Sequence, residues 1–384
     1  MSGIYIHIPF CVNKCSYCNF YSSTKLTLKQ PFIAALCREM EWRKGYLQQD
    51  AAQTLYFGGG TPSVLTPKEI EHIITSARQT FGLLPNAEIT LEANPNNLNE
   101  TYLKQLANTS VNRLSIGIQS FFDSNLQTLG RIHTATQAEK CIELAYKYGF
   151  PNLSIDLMYG YPQLTLEQWY TNLMKAKDVP HLSCYSLSLE PNSALFRQVS
   201  KKHLLLPDEE QVIEQYRLLK DFAKTHDFIH YETSNFCKPN RFSKHNTAYW
   251  QDEMYVGLGA AAHSFNRTHR GWNIANVEDY IRLINRITSA DSCPKEAESM
   301  LFEQETLSPV MRVNEYIMTS LRTMWGCDLN YIKAAFGKYF LLLLMHNLKD
   351  VPVQYYSLKD DTLLLSDEGS LFTDAIACTL FLHD

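Results

Sequence analysis

Cys11, Cys15 and Cys18 fall in the spacing C-x3-C-x2-C inside the stretch HIPFCVNKCSYCNFYS, close to the first residue. A solitary cysteine ordinarily fills a core as a small hydrophobe. Three this close together, set among Asn, Lys, Ser and Tyr, point to chemistry instead. Four uses compete. Structural zinc needs four ligands, usually from two paired knuckles, and the sequence holds no second C-x2-C. His7 is a candidate fourth ligand, but it alternates with Tyr5 and Pro9 along a strand-like run. A redox dithiol would use Cys15 and Cys18 and leave Cys11 unexplained. Chance placement is rare with ten cysteines in 384 residues. An iron–sulfur cubane normally takes four thiolates, and three would leave one iron open to a ligand from outside the chain.

The bulk composition narrows the setting. The chain is 45% hydrophobic and 20% charged, with a net charge of -5, which suits an ordinary soluble globular protein. No whole-chain basic field argues for nucleic acid. The N-terminus lacks a basic signal-peptide start. The longest apolar run, YFLLLLM at Tyr339 to Met345, is too short to span a bilayer and reads as a buried helix segment. Ten cysteines without a secretory signal predict a reducing, cytoplasmic setting. The seven scattered ones (Cys37, Cys141, Cys184, Cys237, Cys293, Cys327 and Cys378) are expected to fill cores.

Short β-rich runs alternate with helical patterns, and these must position the cysteines. GIYIHI (3–8), QTLYF (53–57), AEITLEANP (87–95), NRLSIGIQS (112–120), NLSIDLMYG (152–160) and HLSCYSLSLEP (181–191) read as six strands. Helices are expected near 28–47, from Pro67 with Thr66 as N-cap, near 98–107, up to about 148, near 165–177 and near 207–226. Six strand–helix units in a row imply parallel strands with right-handed crossovers. They predict an α/β fold, either a partial (β/α)6 barrel or a doubly wound sheet. Each strand delivers something polar or glycine-rich at its C-terminal end: the cysteine loop, GGGTP, Glu92, Gln119, Asp156, and Tyr185 to Ser188. Parallel α/β folds place their sites at that end, which favours the barrel. GGGTP also suggests bare backbone N–H groups suited to a small anionic group. After about 240 the texture becomes loop-like, in RFSKHNTAYW and YVGLGAAAHSF. From about 308 it is mainly helical, with two short strands around KDD. Three segments result: 1–240, a connecting 241–305, and a 306–384 winged-helix-like module with no basic recognition stretch.

The cysteine spacing after the first strand resembles the radical S-adenosylmethionine (SAM) family. There a [4Fe–4S] cluster binds SAM at its open iron. The likeness is closer still. YIHIPFCxxxCxYCxF, FGGGTPS, EANP, RLSIGIQSF, LGRIH, DLMYGYP and HNxxYW run in order. They resemble the oxygen-independent coproporphyrinogen III oxidase family and, within it, the branch of HemW-type heme chaperones. The resemblance covers essentially the whole chain. It implies that Cys11, Cys15 and Cys18 ligate the [4Fe–4S] cluster, and that Tyr5, Gly59, Gly60, Thr61 and Glu92 contact SAM. Positions that hold a second SAM in the oxidases correspond to Tyr17, Gln119, Arg131 and Asp156, and Ser188 and His263 fall at further SAM-lining positions. An aromatic at Tyr17 would lie near the adenine.

Two departures separate the branches. The oxidases carry a fourth cysteine two residues after the third, where this sequence has Phe20, and they have a longer segment before the motif. Both fit the chaperones. HNTAYW, from His245 to Trp250, resembles the chaperones' heme-binding motif. A neutral imidazole is a standard heme-iron ligand, Tyr249 and Trp250 offer flat apolar faces, and Lys244 could meet a propionate. His245 and Asn246 could equally hold a loop, with Trp250 as its anchor, and His133, His263 and His269 compete as ligands. The resemblance implies a cytoplasmic heme chaperone that binds heme, a [4Fe–4S] cluster and SAM and hands heme to a respiratory enzyme. The alternative is radical decarboxylation of coproporphyrinogen III. Membrane contact and a homodimer are left open.

Overall fold

The computed structural model describes residues 2–48, 51–191, 193–287 and 294–383. Six parallel strands stand side by side in chain order. They are β1 (Ser2–Ile8), β2 (Thr54–Gly59), β3 (Glu88–Ala93), β4 (Arg113–Gln119), β5 (Leu153–Tyr159) and β6 (His181–Ser186). The period of two along each strand decides what faces where. Ile4, Ile6, Leu55, Phe57, Ile89, Leu91, Leu114, Ile116, Ile155 and Leu157 are buried in the shared core. Alternate positions carry Tyr5, Tyr56, Thr90, Glu92, Ser115, Gly117 and Asp156, so the opposite face of the sheet is polar and aromatic. Helices cover the apolar face, among them α1 (Lys29–Trp42), α2 (Pro67–Phe81), α3 (Glu100–Leu106), α4 (Asp123–Thr128), α5 (Ala135–Lys147) and α6 (Leu166–Ala176). Their starts are legible. Thr66, Thr134 and Thr165 each cap a helix while Glu69, Gln137 and Gln168, three residues on, reach back to the cap.

Two stretches depart from the sequence reading. β6 ends at Ser186, so SLEP is loop, and an additional helix α7 (Ala194–Ser200) precedes α8 (Glu209–Thr225). The loop-like region after 240 is ordered into helix α9 (Lys244–Trp250) and further strands. Ahead of that region, two short strands, β7 (Ile229–His230) and β8 (Asn235–Cys237), run beyond β6. β9 (Met254–Leu258) pairs in parallel with β1. β10 (His263–Phe265), β11 (His269–Asn273) and β12 (Phe302–Thr306) extend that side antiparallel. Glycines disguised these strands. A Cβ on Gly257 would come within 1.8 Å of the His263 carbonyl oxygen, so the close approach of β9 to β10 requires glycine where a strand former was expected. Among the described residues the sheet runs from β12 to β7 without closing. It is an open, partial barrel.

The chain then forms a winged-helix-like module. It contains α12 (Pro309–Ser320), α13 (Leu329–Ala335), α14 (Lys338–Asn347) and α15 (Thr373–Leu380), which follow α10 (Val277–Ile287) and α11 (Pro294–Leu301). Its three-stranded sheet is β13 (Cys327–Asp328), β14 (Tyr356–Lys359) and β15 (Thr362–Leu365). Asp360 and Asp361, both at positive φ, make the turn between β14 and β15. Val313, Ile317, Ile332, Leu344, Leu363, Ile376 and Leu380 build a separate core. The module is tied to the barrel by Arg312–Asp252 at 2.7 Å and Arg270–Glu315 at 2.6 Å.

The apolar run in α14 is not a buried segment. Leu344 is buried, but Tyr339 is 67% and Leu342 59% exposed. A run apolar on every face cannot bury all of itself against a core lying on one side. No helix among the described residues is long and apolar enough to cross a membrane. Of the scattered cysteines, Cys141, Cys184, Cys237 and Cys327 are buried, Cys37 is half-buried and Cys378 is exposed, which corrects core filling for Cys378. Cys293 lies outside the described residues.

Candidate functional site

The C-terminal ends of β1 to β6 surround a cavity of about 530 Å³, a size typical of small-molecule and cofactor sites. Cys11, Cys15, Cys18, Tyr17, Gly59, Gly60, Thr61, Glu92, Gln119, Arg131, Asp156 and Ser188 all line it. The cysteine loop leaves β1 and folds back on itself, with the Cys11 N–H donating to the Ser23 carbonyl at 3.0 Å. Thr61 Oγ1 lies 3.4 Å from the Cys11 sulfur, and Arg131 Nη1 3.4 Å from that of Cys15. Burial raises the Cys18 thiol, and the neighbouring Cys15 and Cys11 raise it further. The three sulfurs are thus grouped on one wall. Among the described residues no three His, Cys, Asp or Glu side chains converge tightly enough for a single metal ion.

The glycine run works differently from the sequence expectation. Gly60 N–H donates to the Ile8 carbonyl at 2.9 Å and Thr61 N–H to the Phe10 carbonyl at 2.8 Å, while Gly59 N–H holds the Glu92 carboxyl. These N–H groups are spent on the protein and do not form a bare anion cradle. The glycines serve close approach. Gly59 sits at φ +108°, and a Cβ there would fall 2.7 Å from the His7 ring, so the turn brings β2 hard against β1 beneath the cysteines.

The remaining donors and acceptors fit a polar, charged ligand. Gln119 is buried at positive φ (68°), at an irregularity in the β4–β5 pairing. Its Oε1 has no partner within the protein. A strained backbone and an unsatisfied acceptor facing a cavity together mark a binding position. Glu92 and Asp156 have their carboxyls raised, chiefly by burial, to about 7 and about 6. Tyr56 O–H donates to Glu92 Oε1 at 2.8 Å and Ser115 O–H to Asp156 Oδ1 at 3.2 Å. Such carboxyls, starved of solvent, favour a cationic or multiply hydroxylated partner. Asn94 links the loops. Its Oδ1 accepts from Arg131 Nη2 at 2.8 Å and its Nδ2 donates to Thr61 Oγ1 at 3.3 Å. Tyr185, at the end of β6, lines the cavity, as do Asn94 and Glu190, which the sequence reading does not reach. EANP contained the signal for Asn94, because a side chain two residues beyond Glu92 falls on the same face at the site end of the strand.

Two expected SAM positions lie outside the lining. Tyr5 is enclosed in the barrel, its hydroxyl 3.2 Å from His7 Nδ1. His263 is exposed on β10, tilted against Trp272. The HNTAYW segment is placed at the other mouth. His245 is 1% exposed. Its Nδ1 is 2.7 Å from Thr54 Oγ1 at the start of β2, and its backbone N–H donates to Glu88 at the start of β3 at 3.2 Å. Its Nε2 is 2.8 Å from the Tyr249 hydroxyl. Burial alone pulls its pKa down to about 3, so the imidazole is neutral with both ring nitrogens engaged. Helix α9 therefore plugs the N-terminal ends of β1 to β3. Tyr249 and Trp250 line a separate cavity of about 230 Å³ with Tyr255, Phe265, Tyr316 and Met318, against the C-terminal module.

A three-cysteine loop at the end of the first strand of an open parallel barrel, over a polar cavity, defines a radical SAM protein. Residues 5–173 match the model of the radical SAM superfamily. Heme chaperone HemW of Lactococcus lactis is 33% identical over 348 residues, covering 88% of this chain and 87% of that protein. Heme chaperone HemW of Mycobacterium tuberculosis is 30% identical over 384 residues, covering 98% of this chain and 94% of that protein. The chain belongs to the HemW heme-chaperone family. Coproporphyrinogen III oxidase (HemN) from Escherichia coli shares the fold, with a TM-score of 0.82 at 21% identity over 99% of this chain and 90% of that one.

Proposed function

We propose that the protein is a cytoplasmic heme chaperone that holds a [4Fe–4S] cluster on Cys11, Cys15 and Cys18 and SAM in the adjoining cavity, and that passes heme to a respiratory enzyme. The observation that carries this reading is the near full-length likeness to proteins named heme chaperones, 33% identical across 87% of the Lactococcus protein.

When bound, the cluster and SAM would supply one-electron cleavage of a sulfonium. The chain's own residues hold and orient. Thr61 and Arg131 lie against two of the sulfurs, and the Arg131 charge would offset thiolate charge. Glu92, Gln119 and Asp156 present acceptors to a cationic ligand, and Tyr17 offers an aromatic face. Heme would meet the α9 region, where Tyr249 and Trp250 line a cavity with other aromatic side chains and with Asp252, Glu253, Arg270 and Glu315, and the exposed Lys244 is available to a propionate. The neutral imidazole of His245 is the form that binds iron. Its use would require Tyr249 to release Nε2, so the described arrangement is a closed state of the motif.

The test is a hemin titration of the anaerobically reconstituted protein beside Trp250→Ala and His245→Ala, with coproporphyrinogen turnover assayed on the same samples. Stoichiometric hemin binding weakened at least tenfold in both variants, without turnover, is the expected result. Turnover with weak hemin binding would assign the chain to the oxidase chemistry instead.

A further inference from the structure

We propose that Tyr56 couples the HNTAYW helix to the cofactor cavity, so that a change in the His245–Tyr249 contact alters SAM affinity at Glu92. The inference rests on the reading of that cavity as the SAM site.

Glu92 lines the cavity near the cysteines, and His245 closes the opposite mouth. One side chain touches both. The Tyr56 hydroxyl donates to Glu92 Oε1 at 2.8 Å. The Tyr56 ring stacks on the His245 ring with centroids 5.0 Å apart and planes 18° from parallel. On its other side His245 meets Tyr249, through the 2.8 Å contact to Nε2 and an edge-on ring contact at 4.9 Å. Tyr5 completes the packing, stacked 6.2 Å from Tyr56 and 6.4 Å from His245.

The column has little slack. A Cβ on Gly58 would fall 2.9 Å from the Tyr5 ring and 3.1 Å from the Tyr56 ring. Close-packed interiors transmit displacement instead of absorbing it. The bistable element is the Tyr249 hydroxyl, either on His245 Nε2 or released. With the contact made, the imidazole is pinned from both nitrogens, since Nδ1 is held by Thr54 at 2.7 Å. With it released, the ring can turn about its Thr54 contact. Tyr56, stacked on it, then re-aims the hydroxyl that donates to Glu92 at 2.8 Å. Tyr56 is on this account a positioning residue with no direct contact to heme.

Spatial intermediacy is not coupling, and a double-mutant cycle measures the difference. SAM dissociation constants are measured by equilibrium dialysis with labelled SAM on the reconstituted full chain, for wild type, Tyr249→Phe, Tyr56→Phe and the double variant. Both substitutions keep the rings and remove only hydroxyls, and melting temperatures check that all four remain folded. Tyr249→Phe is expected to change the SAM dissociation constant about fivefold or more, and to change it less than twofold in the Tyr56→Phe background. A Tyr249→Phe effect below twofold in wild type, or one of equal size in both backgrounds, overturns the coupling. Failure of reconstituted wild type to bind SAM at all overturns the cofactor reading itself, and the coupling with it.

Discussion

The guanidinium of Arg131 lies 3.4 Å from the sulfur of Cys15. It is held there by Asn94, whose Oδ1 accepts from Nη2 at 2.8 Å. A fixed positive charge beside a cluster ligand stabilises the more negative, reduced state. At this range, in surroundings partly open to water, the interaction is worth about 1–2 kcal/mol, roughly 50 mV for a one-electron couple. Arg131→Met should therefore lower the cluster midpoint potential by tens of millivolts. A potential titration followed by electron paramagnetic resonance checks this, and an unchanged midpoint would remove Arg131 from the electrostatics of the site.

Each of Cys11→Ala, Cys15→Ala and Cys18→Ala should abolish the broad visible absorption gained on anaerobic reconstitution, because three ligands are already the minimum for a cubane with one open iron. Cys378→Ala, at an exposed position in the C-terminal module, should leave it intact. Full iron and sulfide content in any of the first three variants would contradict the ligand assignment.

Glu92 links the site to stability through pH. Burial is the main cause of its rise to about 7 in the unliganded protein; the bonds from Tyr56 and Gly59 oppose it and the Asp156 charge adds to it. The folded state thus holds this proton more tightly than the unfolded chain, whose carboxyl titrates near ~4.3. The favourable contribution is complete at low pH and is lost as pH rises from the unfolded value through about 7. Glu92→Gln does not titrate. Without SAM it should equal wild type near pH 4 and exceed it by about 3–4 kcal/mol at pH 8. Urea unfolding at the two pH values measures the difference. Asp156, raised to about 6, titrates in the same window and is common to both proteins.

Glu39 is a fully buried carboxylate with a complete set of donors. Gly259 N–H donates at 2.8 Å, Asn273 Nδ2 at 2.6 Å and the Tyr280 hydroxyl at 2.6 Å, with Arg43 at 3.6 Å. It holds the GLGAAAH turn between β9 and β10 to α1. Glu39→Ala leaves the Gly259 N–H and the Tyr280 hydroxyl buried without their acceptor, while Arg43 keeps the Gly257 carbonyl and Ser264, and Asn273 keeps the Gly259 carbonyl; it should cost about 3 kcal/mol of stability. Equilibrium unfolding that shifts by less than about 1 kcal/mol would show that water replaces the carboxylate there.

The six-strand order, the Thr66 cap and the cysteine loop were legible because they rest on local rules: period-two alternation, a threonine before a helix-starting proline, and close cysteine spacing. The cavity-facing positions of Glu92, Gln119 and Asp156 followed from counting to the ends of strands. What the sequence hid depends on where backbone groups point and on contacts between distant segments. GGGTP announced glycines but not that Gly60 and Thr61 would donate to Ile8 and Phe10. β9 to β11 were obscured because Gly257 and Gly271 sit where strands approach too closely for a side chain. His263 and Tyr5 align with cavity positions yet lie outside its lining, since neighbouring chain turns one aside and encloses the other. His245 is spaced as a ligand would be, but its burial against Thr54 and Glu88 arises from residues more than 150 positions away in sequence.

The placement of α9 at the far mouth of the barrel has a kinetic meaning. A molecule received beside Tyr249 and Trp250 and one received beside the cysteines cannot exclude each other by overlap. Either can arrive first, and a ternary complex is accessible. Any mutual effect would level off as one ligand saturates, whereas two guests competing for one space would displace each other without limit.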